Sequence, residues 1–146
     1  MAAGAPSGEF SLKITSNIFT PGPANSVLVQ ANYEGTATGF GTLLLTCTYA
    51  GFKGGTHSWC GAAHLDNGDV ITYLGQGTHE GSGRQKWRTQ GISSTSDGRT
   101  LTVEGEIDLA ARTWSGKFSE RRHADPTCGG GTDQGSGSSF GRSVGP

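Results

Sequence analysis

Three groups of side chains in this chain have the types and spacing that acid–base or metal chemistry requires. The first is a row of carboxylates, Glu104, Glu106 and Asp108, at every second position of one segment. Paired carboxylates perform general acid–base catalysis and glycoside hydrolysis. The alternate positions of this segment are mostly apolar, however, which is typical of a strand with one solvent-exposed face. We therefore expect the carboxylates to be solvated, with Lys117 opposite Glu104.

The second group combines imidazole and thiol side chains, which are natural zinc ligands. It contains His57, Cys60 and His64, with Cys47 upstream. On a strand, Cys60 and His64 share one face while His57 points to the other, and this spacing matches no standard zinc motif. We predict a small core residue at Cys60 and a hydrogen-bonded interior residue at His64, with no metal or cofactor.

The third group lies in the Gly-rich segment Gln76–Arg88, where His79 stands beside Glu80. Adjacent residues of a strand point apart, so the segment indicates a solvated hairpin tip rather than an acid–base pair. The chain has no Gly-x-Ser-x-Gly elbow for a nucleophile and no glycine loop followed by a helix. Whether the protein is an enzyme stays open. A weaker alternative is a hydrolase or metal-dependent enzyme that uses His57, Cys60, His64, His79 and Glu80.

The elements that position these groups are short alternating runs between Phe10 and Glu120, separated by Gly, Asn-Gly and Asp-Gly turns. No segment reads as a helix. This pattern predicts an all-β protein, a single antiparallel up-and-down β-barrel of about eight strands. We assign residues 9–122 to the barrel, residues 1–8 to a flexible lead-in and residues 123–146 to a flexible, Gly/Ser-rich tail.

Local patterns also predict which residues face the interior. The first two strands should bury Phe10, Leu12 and Ile14 and, on the second, Val27, Val29, Ala31 and Tyr33. A turn at Ala110–Ala111 would place Ile107 opposite Trp114 and Val103 opposite Phe118.

The strongest local signal is Asn67–Gly68, which suits a two-residue type I′ hairpin. Such a turn would place Leu65 opposite Val70. Both faces of this hairpin would be apolar, and a subunit interface is the simplest cover for the outer one, so we expect a homo-oligomer. One face would carry Cys60, Ala62, His64, Ile71 and Tyr73, and the other Trp59, Ala63, Leu65, Val70 and Leu74.

Composition limits the partners. The chain has 146 residues, 11 basic against 12 acidic residues and a formal net charge of −1. Apart from Arg121–Arg122 its Lys and Arg residues are scattered, with no stripe of positive charge to hold nucleic acid or an anionic membrane, so we predict no nucleic-acid partner. Its longest apolar run, Leu43–Leu45, predicts no membrane partner, and the absence of an export signal in Met1–Gly8 predicts a cytoplasmic protein. Cys128 completes an odd set of three cysteines, and a disulfide between Cys47 and Cys60 stays open.

The hairpins from Phe10 to Glu120 resemble those of small bacterial β-barrel proteins of unassigned function. Architecturally they are similar to calycin and allene-oxide-cyclase-like barrels. The resemblance rests on the stretches Tyr33–Thr42, Leu74–Thr78, Trp87–Thr89 and Glu104–Leu109. It implies an apolar cavity that binds a small hydrophobic molecule or, in cyclase relatives, folds it into a reactive shape.

The polar residues that we expect on inward faces are candidate ligand contacts. They are Tyr33, Cys47, Tyr49, His64 and Tyr73. The first hypothesis is therefore a small-ligand-binding barrel, with isomerase or cyclase activity by shape as its extension. The alternative is a self-associating structural or assembly protein without a small-molecule ligand.

Overall fold

The chain forms a closed, eight-stranded antiparallel barrel in which each strand pairs with its neighbours in sequence. This computed structural model describes residues 7–121, so most of the predicted lead-in and the whole predicted tail lie outside the described residues. The predicted fold class is confirmed. The strands are β1 (Gly8–Pro21), β2 (Val27–Ala37), β3 (Gly41–Ala50), β4 (Gly54–His64), β5 (Val70–Gly83), β6 (Lys86–Thr95), β7 (Thr100–Asp108) and β8 (Thr113–Glu120).

One 3₁₀ helix, Pro23–Asn25, separates β1 from β2. In residues 7–121 we find no helix with the length and apolar character needed to cross a membrane.

Pairing of β1 with β8 closes the barrel over a short stretch, from Gly8 opposite Phe118 to Lys13 opposite Thr113. Beyond Lys13, β1 continues to Pro21 and pairs there with β2 alone. Residues 15–21 of β1 therefore form a free edge beside β2, and at its end Thr20–Pro21 and Val27–Leu28 extend past β3 as a short two-stranded ribbon. We call this end of the barrel the ribbon end and the other, where β1 starts and β8 finishes, the opposite end.

Aromatic side chains fill the middle of the barrel. The indole of Trp114 lies at its centre, with ring centroids 5.3 Å from Tyr33, 5.7 Å from His57 and 5.8 Å from Trp59. At the opposite end Phe40 is buried in the β2–β3 turn, and the guanidinium of Arg99 lies 4.5 Å from its ring centroid. The interior is thus packed at mid-height, which leaves free space only toward the two ends.

Several sequence predictions of facing are confirmed. Phe10, Leu12, Ala31 and Tyr33 are buried, as alternation predicted. The prediction is wrong for Val27, which is exposed because β2 pairs with β3 only from Val29 onward. The last hairpin has the predicted register, with Ile107 opposite Trp114 and Glu104 opposite Lys117. The carboxylates of Glu104 and Glu106 lie on the exposed face, in agreement with the solvated interpretation.

The predicted type I′ turn at Asn67–Gly68 is wrong. It requires a positive φ at both residues, whereas Gly68 has φ +97° and Asn67 does not have a positive φ. The backbone N–H of Leu65 donates to the carbonyl of Asp69 at 2.9 Å, so three residues, Asp66–Gly68, form the loop. His64 consequently pairs with Val70, one position away from the predicted register.

A shift of one residue reverses the faces of β4. Trp59 and Ala63 point inward and are buried, whereas Cys60 and His64 are exposed on the outer wall. The prediction that His64 lines the interior is therefore wrong. Cys47 is buried opposite Trp59, on the other side of the sheet from Cys60, so no disulfide joins the two cysteines.

Candidate functional site

A repeated tripeptide places two histidines together inside the barrel. Gly-Thr-His occurs at residues 55–57 on β4 and again at 77–79 on β5, and the two copies pair antiparallel with Thr56 opposite Thr78. His57 therefore lies opposite Gly77, and His79 opposite Gly55. Because neither glycine has a side chain, the imidazoles occupy the vacant space diagonally, with their Nδ1 atoms 3.1 Å apart.

The hydrogen bonds of His79 determine the tautomers of both rings. Nε2 of His79 lies 2.8 Å from the carbonyl oxygen of Gly51, which can only accept, so this nitrogen donates. In a neutral pair, Nδ1 of His79 then accepts from Nδ1–H of His57. Nε2 of His57 keeps a lone pair, and it is the one buried side-chain polar atom in residues 7–121 without a hydrogen-bond partner.

A pair of tyrosines extends this polar cluster. The hydroxyls of Tyr33 on β2 and Tyr49 on β3 are 2.7 Å apart, and the thiol of Cys47 lies beside Tyr49. The ring of Tyr49 has its centroid 5.5 Å from those of both His57 and His79. Four neighbouring strands, β2 to β5, therefore contribute to one cluster of hydroxyl, thiol and imidazole groups.

Burial keeps the tyrosines, the thiol and His57 of this cluster uncharged. It raises the pKa of the Cys47 thiol to about 12 and raises the pKa of Tyr33 and Tyr49 above the ordinary tyrosine value. It lowers the pKa of His57 to about 4, and the neighbouring His79 adds to this effect. At neutral pH the tyrosines, the thiol and His57 therefore act as hydrogen-bonding groups rather than ions.

A cavity of about 150 Å³ lies at the ribbon end, next to this cluster. Its lining contains no Asp, Glu, Lys or Arg, and His79, Tyr33 and Tyr49 are among its few polar members. The lining consists of Ile14, Asn17, Phe19, Val29, Ala31, Tyr33, Tyr49, Gly51, Phe52, His79, Trp87, Ile107 and Leu109.

The β3–β4 loop forms part of the wall of this cavity and is anchored from two sides. His79 bonds to the carbonyl of Gly51, and the indole N–H of Trp87 donates to the carbonyl of Phe52 at 2.6 Å. The ring of Phe52, in contrast, is mostly exposed. The anchoring holds the loop backbone at the edge of the cavity while the phenyl ring remains in contact with solvent.

The predicted ligand contacts separate into three locations. Tyr33, Cys47 and Tyr49 converge at the ribbon end. Tyr73 faces a second, smaller cavity of about 80 Å³ at the opposite end, and its hydroxyl donates to the carbonyl of Leu44 at 3.2 Å. His64 lies on the outer wall.

The residues considered for metal chemistry also separate. Cys60, His64 and Glu80 are exposed, whereas His57 and His79 are buried. Across residues 7–121 there is no group of three or more His, Cys, Asp or Glu side chains placed to hold a metal ion.

Sequence reasoning missed the pairing of His57 with His79, although a signal was present. The repeated Gly-Thr-His could have indicated it, because an antiparallel pairing centred on the two threonines places each histidine opposite a glycine. The prediction of a solvated hairpin tip holds for Glu80, whose carboxylate lies 3.9 Å from Arg88 on the surface. It is wrong for His79, which is buried one position earlier.

Comparison with known proteins does not assign this chain to a family. No protein-family model matches it, and neither a curated protein nor a solved structure shows a significant match.

Proposed function

We propose that the barrel binds a small, uncharged, largely apolar molecule in the ribbon-end cavity. The observation that carries this proposal is a cavity of about 150 Å³ with apolar walls, no Asp, Glu, Lys or Arg in its lining, and two tyrosine hydroxyls beside it. Apolar walls with a few convergent polar groups are typical of small-molecule sites. An apolar cavity of about this volume accommodates benzene.

The neutral hydroxyl and thiol groups of this cluster favour a ligand with one oxygen atom that can accept or donate a hydrogen bond. Tyr33 and Tyr49 share one hydroxyl–hydroxyl bond, so one further O–H is available for the thiol of Cys47 or for a ligand. A charged ligand would lose its hydration without gaining an opposite charge. We expect a compact phenol, alcohol or ketone to bind and a carboxylate of the same size to be rejected.

Binding of a small apolar molecule inside the barrel is also what the resemblance to calycin-like and allene-oxide-cyclase-like barrels implies. If the bound molecule also reacts, the chemistry would be an isomerisation or cyclisation directed by the shape of the cavity. The hydroxyls beside it are neutral and would contribute hydrogen bonds rather than proton abstraction.

A thermal-shift titration with benzyl alcohol and its matched carboxylate, benzoate, tests the proposal. Ligand at about 100 times its Kd should stabilise the fold by about 2.7 kcal/mol and raise Tm by several degrees. Benzyl alcohol should produce this shift and benzoate should not.

A pair of neighbouring variants provides the control. Val29→Phe fills the cavity and should abolish the shift, whereas Leu28→Phe adds the same ring at an adjacent residue outside the cavity lining and should preserve it. A shift that survives Val29→Phe would place binding elsewhere and refute the proposed site.

The second candidate is self-association through the outer wall. Four large apolar side chains are exposed there, on β3, β5 and β6, and apolar patches of this kind mark protein interfaces. They are Leu44, Val70, Leu74 and Ile92.

Light scattering coupled to size-exclusion chromatography tests this candidate. If the wall is an interface, the measured mass should exceed that of one chain, and Leu74→Glu should reduce it to the monomer value. A monomeric wild-type protein would eliminate the candidate.

A further inference from the structure

The ribbon end has an apolar rim around the cavity. Of the nine large hydrophobic side chains that are exposed in residues 7–121, five lie here. Three of the five, Phe19, Phe52 and Leu109, also line the cavity, so the apolar surface is continuous from solvent to interior. The five residues are Ile18, Phe19, Val27, Phe52 and Leu109.

The free edge of β1 that leads to the ribbon carries apolar side chains on both faces. Ile18 and Phe19 are adjacent on β1, so they point to opposite sides, yet they are 50% and 62% exposed. No strand covers the outer edge of this part of β1, because β8 pairs only with residues 8–13. An uncovered edge with exposed apolar side chains on both faces indicates a partner that surrounds it rather than one that packs on one side.

Basic side chains surround this rim. The loops and strand ends at the ribbon end contribute Lys53, Arg84, Lys86 and Arg112, and Asp108 is the acidic residue among them. None of the four cations forms an ion pair within residues 7–121, where the two salt bridges are Arg88–Glu80 and Arg99–Asp97. The opposite end is richer in acid, with Asp66, Asp69, Asp97 and Glu120 against Arg99 and Arg121.

We propose that the ribbon end docks on an anionic lipid surface, with the rim in the headgroup region and the cations on the lipid phosphates and carboxylates. The headgroup region of an anionic bilayer binds apolar side chains, and it attracts neighbouring Lys and Arg residues that have no ion-pair partner in the protein. Lipid also contacts both faces of an exposed strand edge at once, which a flat protein surface does not. This inference goes beyond the proposed function, since docking requires no molecule in the cavity.

Docking in this orientation would place the cavity entrance against the bilayer. An apolar molecule could then pass between the lipid and the barrel without crossing water, which is the unfavourable step for such a solute. The proposal departs from the sequence expectation of no membrane partner. That expectation rested on basic residues scattered along the chain, and the barrel collects four of them at one end.

Co-sedimentation of the full chain with lipid vesicles tests the proposal. We expect binding to vesicles of phosphatidylcholine mixed with phosphatidylserine, weak binding to phosphatidylcholine alone, and a decrease as salt is added. Reversing two charges, in R84E/R112E, should weaken partitioning by at least about 25-fold, because each basic residue near such a surface contributes about a 5-fold effect. I18S/V27S should weaken it through lost apolar contact.

Matched controls use similar substitutions on the outer wall. Leu74→Ser removes a comparably exposed apolar side chain, and Lys117→Glu reverses an exposed charge on β8 toward the opposite end, so both should bind vesicles as the wild type does. The four residues changed in the test variants, two in the rim and two cations around it, lie outside the cavity lining, so both variants should still respond to benzyl alcohol. Loss of vesicle binding and loss of ligand response are thereby separated.

Three results would overturn the proposal. These are binding that is independent of phosphatidylserine, binding that the outer-wall variants reduce as much as the rim variants do, and no binding. A dimer that I18S/V27S dissociates, without vesicle binding, would instead assign the rim to a second copy of the chain.

Discussion

His57 is buried, and burial lowers its pKa to about 4, so the imidazole is neutral in the folded protein at neutral pH. Its side chain is 4% exposed, and its Nε2 atom has no hydrogen-bond partner among the described residues. Protonation in the folded state would place a positive charge beside His79 and among aromatic rings. The imidazole therefore contributes to the stability of the barrel only while it is neutral.

We predict that the free energy of unfolding falls below pH 6.5. The folded pKa of His57, about 4, is lower than the unfolded value of 6.5, so the unfolded chain binds more protons between these values. The stabilisation is complete above pH 6.5 and is lost as pH falls toward 4, by at most about 2 kcal/mol between pH 7 and pH 5. Urea unfolding at the two pH values measures the loss.

His57→Gln should remove most of this dependence, because glutamine does not titrate. His64→Gln is the matched control, since His64 is exposed on the outer wall of the same strand, and it should leave the dependence unchanged. If the two variants show the same pH dependence, His57 is not its source.

The paired hydroxyls of Tyr33 and Tyr49 should be energetically coupled. Replacing either tyrosine by phenylalanine leaves the other hydroxyl without this bond, at a cost of about 1–3 kcal/mol. The double variant removes both polar groups, so its cost should be smaller than the sum of the two by about 1–2 kcal/mol. A double-mutant cycle from denaturant unfolding measures the coupling, and additive costs would contradict the paired geometry.

At the scale of the elements, two glycines should respond to alanine for different physical reasons. Gly68 has φ +97° and open space where a methyl group would lie, so Gly68→Ala should cost about 1–2 kcal/mol through backbone strain alone. At Gly75 a Cβ would overlap Cζ2 of Trp59 and lie 2.6 Å from the carbonyl oxygen of Ile92, so Gly75→Ala should cost about 3 kcal/mol.

Near-ultraviolet circular dichroism distinguishes the two effects. Gly75→Ala should alter the tryptophan signal, because Trp59 must move, whereas Gly68→Ala should leave that signal unchanged. Equal costs with no change at Trp59 would show that β5 can move away from the indole.

At the scale of the whole molecule, local unfolding should be uneven around the barrel. Most strands pair on both sides, but residues 15–21 of β1 pair with β2 alone and leave their other edge uncovered. In native-state hydrogen exchange we expect the amides of Ile18 and Thr20 to exchange far faster than those of Ile107 and Trp114. Protection of this edge equal to that of the wall would mean that another surface covers it in solution.

The sequence by itself determined the fold class and several strand faces, because residue alternation is a local property with a period of two. It also determined the last hairpin, where Ile107 opposes Trp114, since the apolar residues of β7 and β8 match in one register. These predictions needed only neighbouring positions of the chain.

Only the tertiary structure decided the register of β4 against β5 and the sites that depend on it. The loop Asp66–Gly68 is compatible with more than one turn, and the difference of one residue moves His64 outward and Trp59 inward. The meeting of His57 with His79 and the gathering of Lys53, Arg84 and Arg112 at one end follow from how distant strands pair. Strand pairing is set by the closure and packing of the whole barrel, so it cannot be predicted from the residues of one local segment.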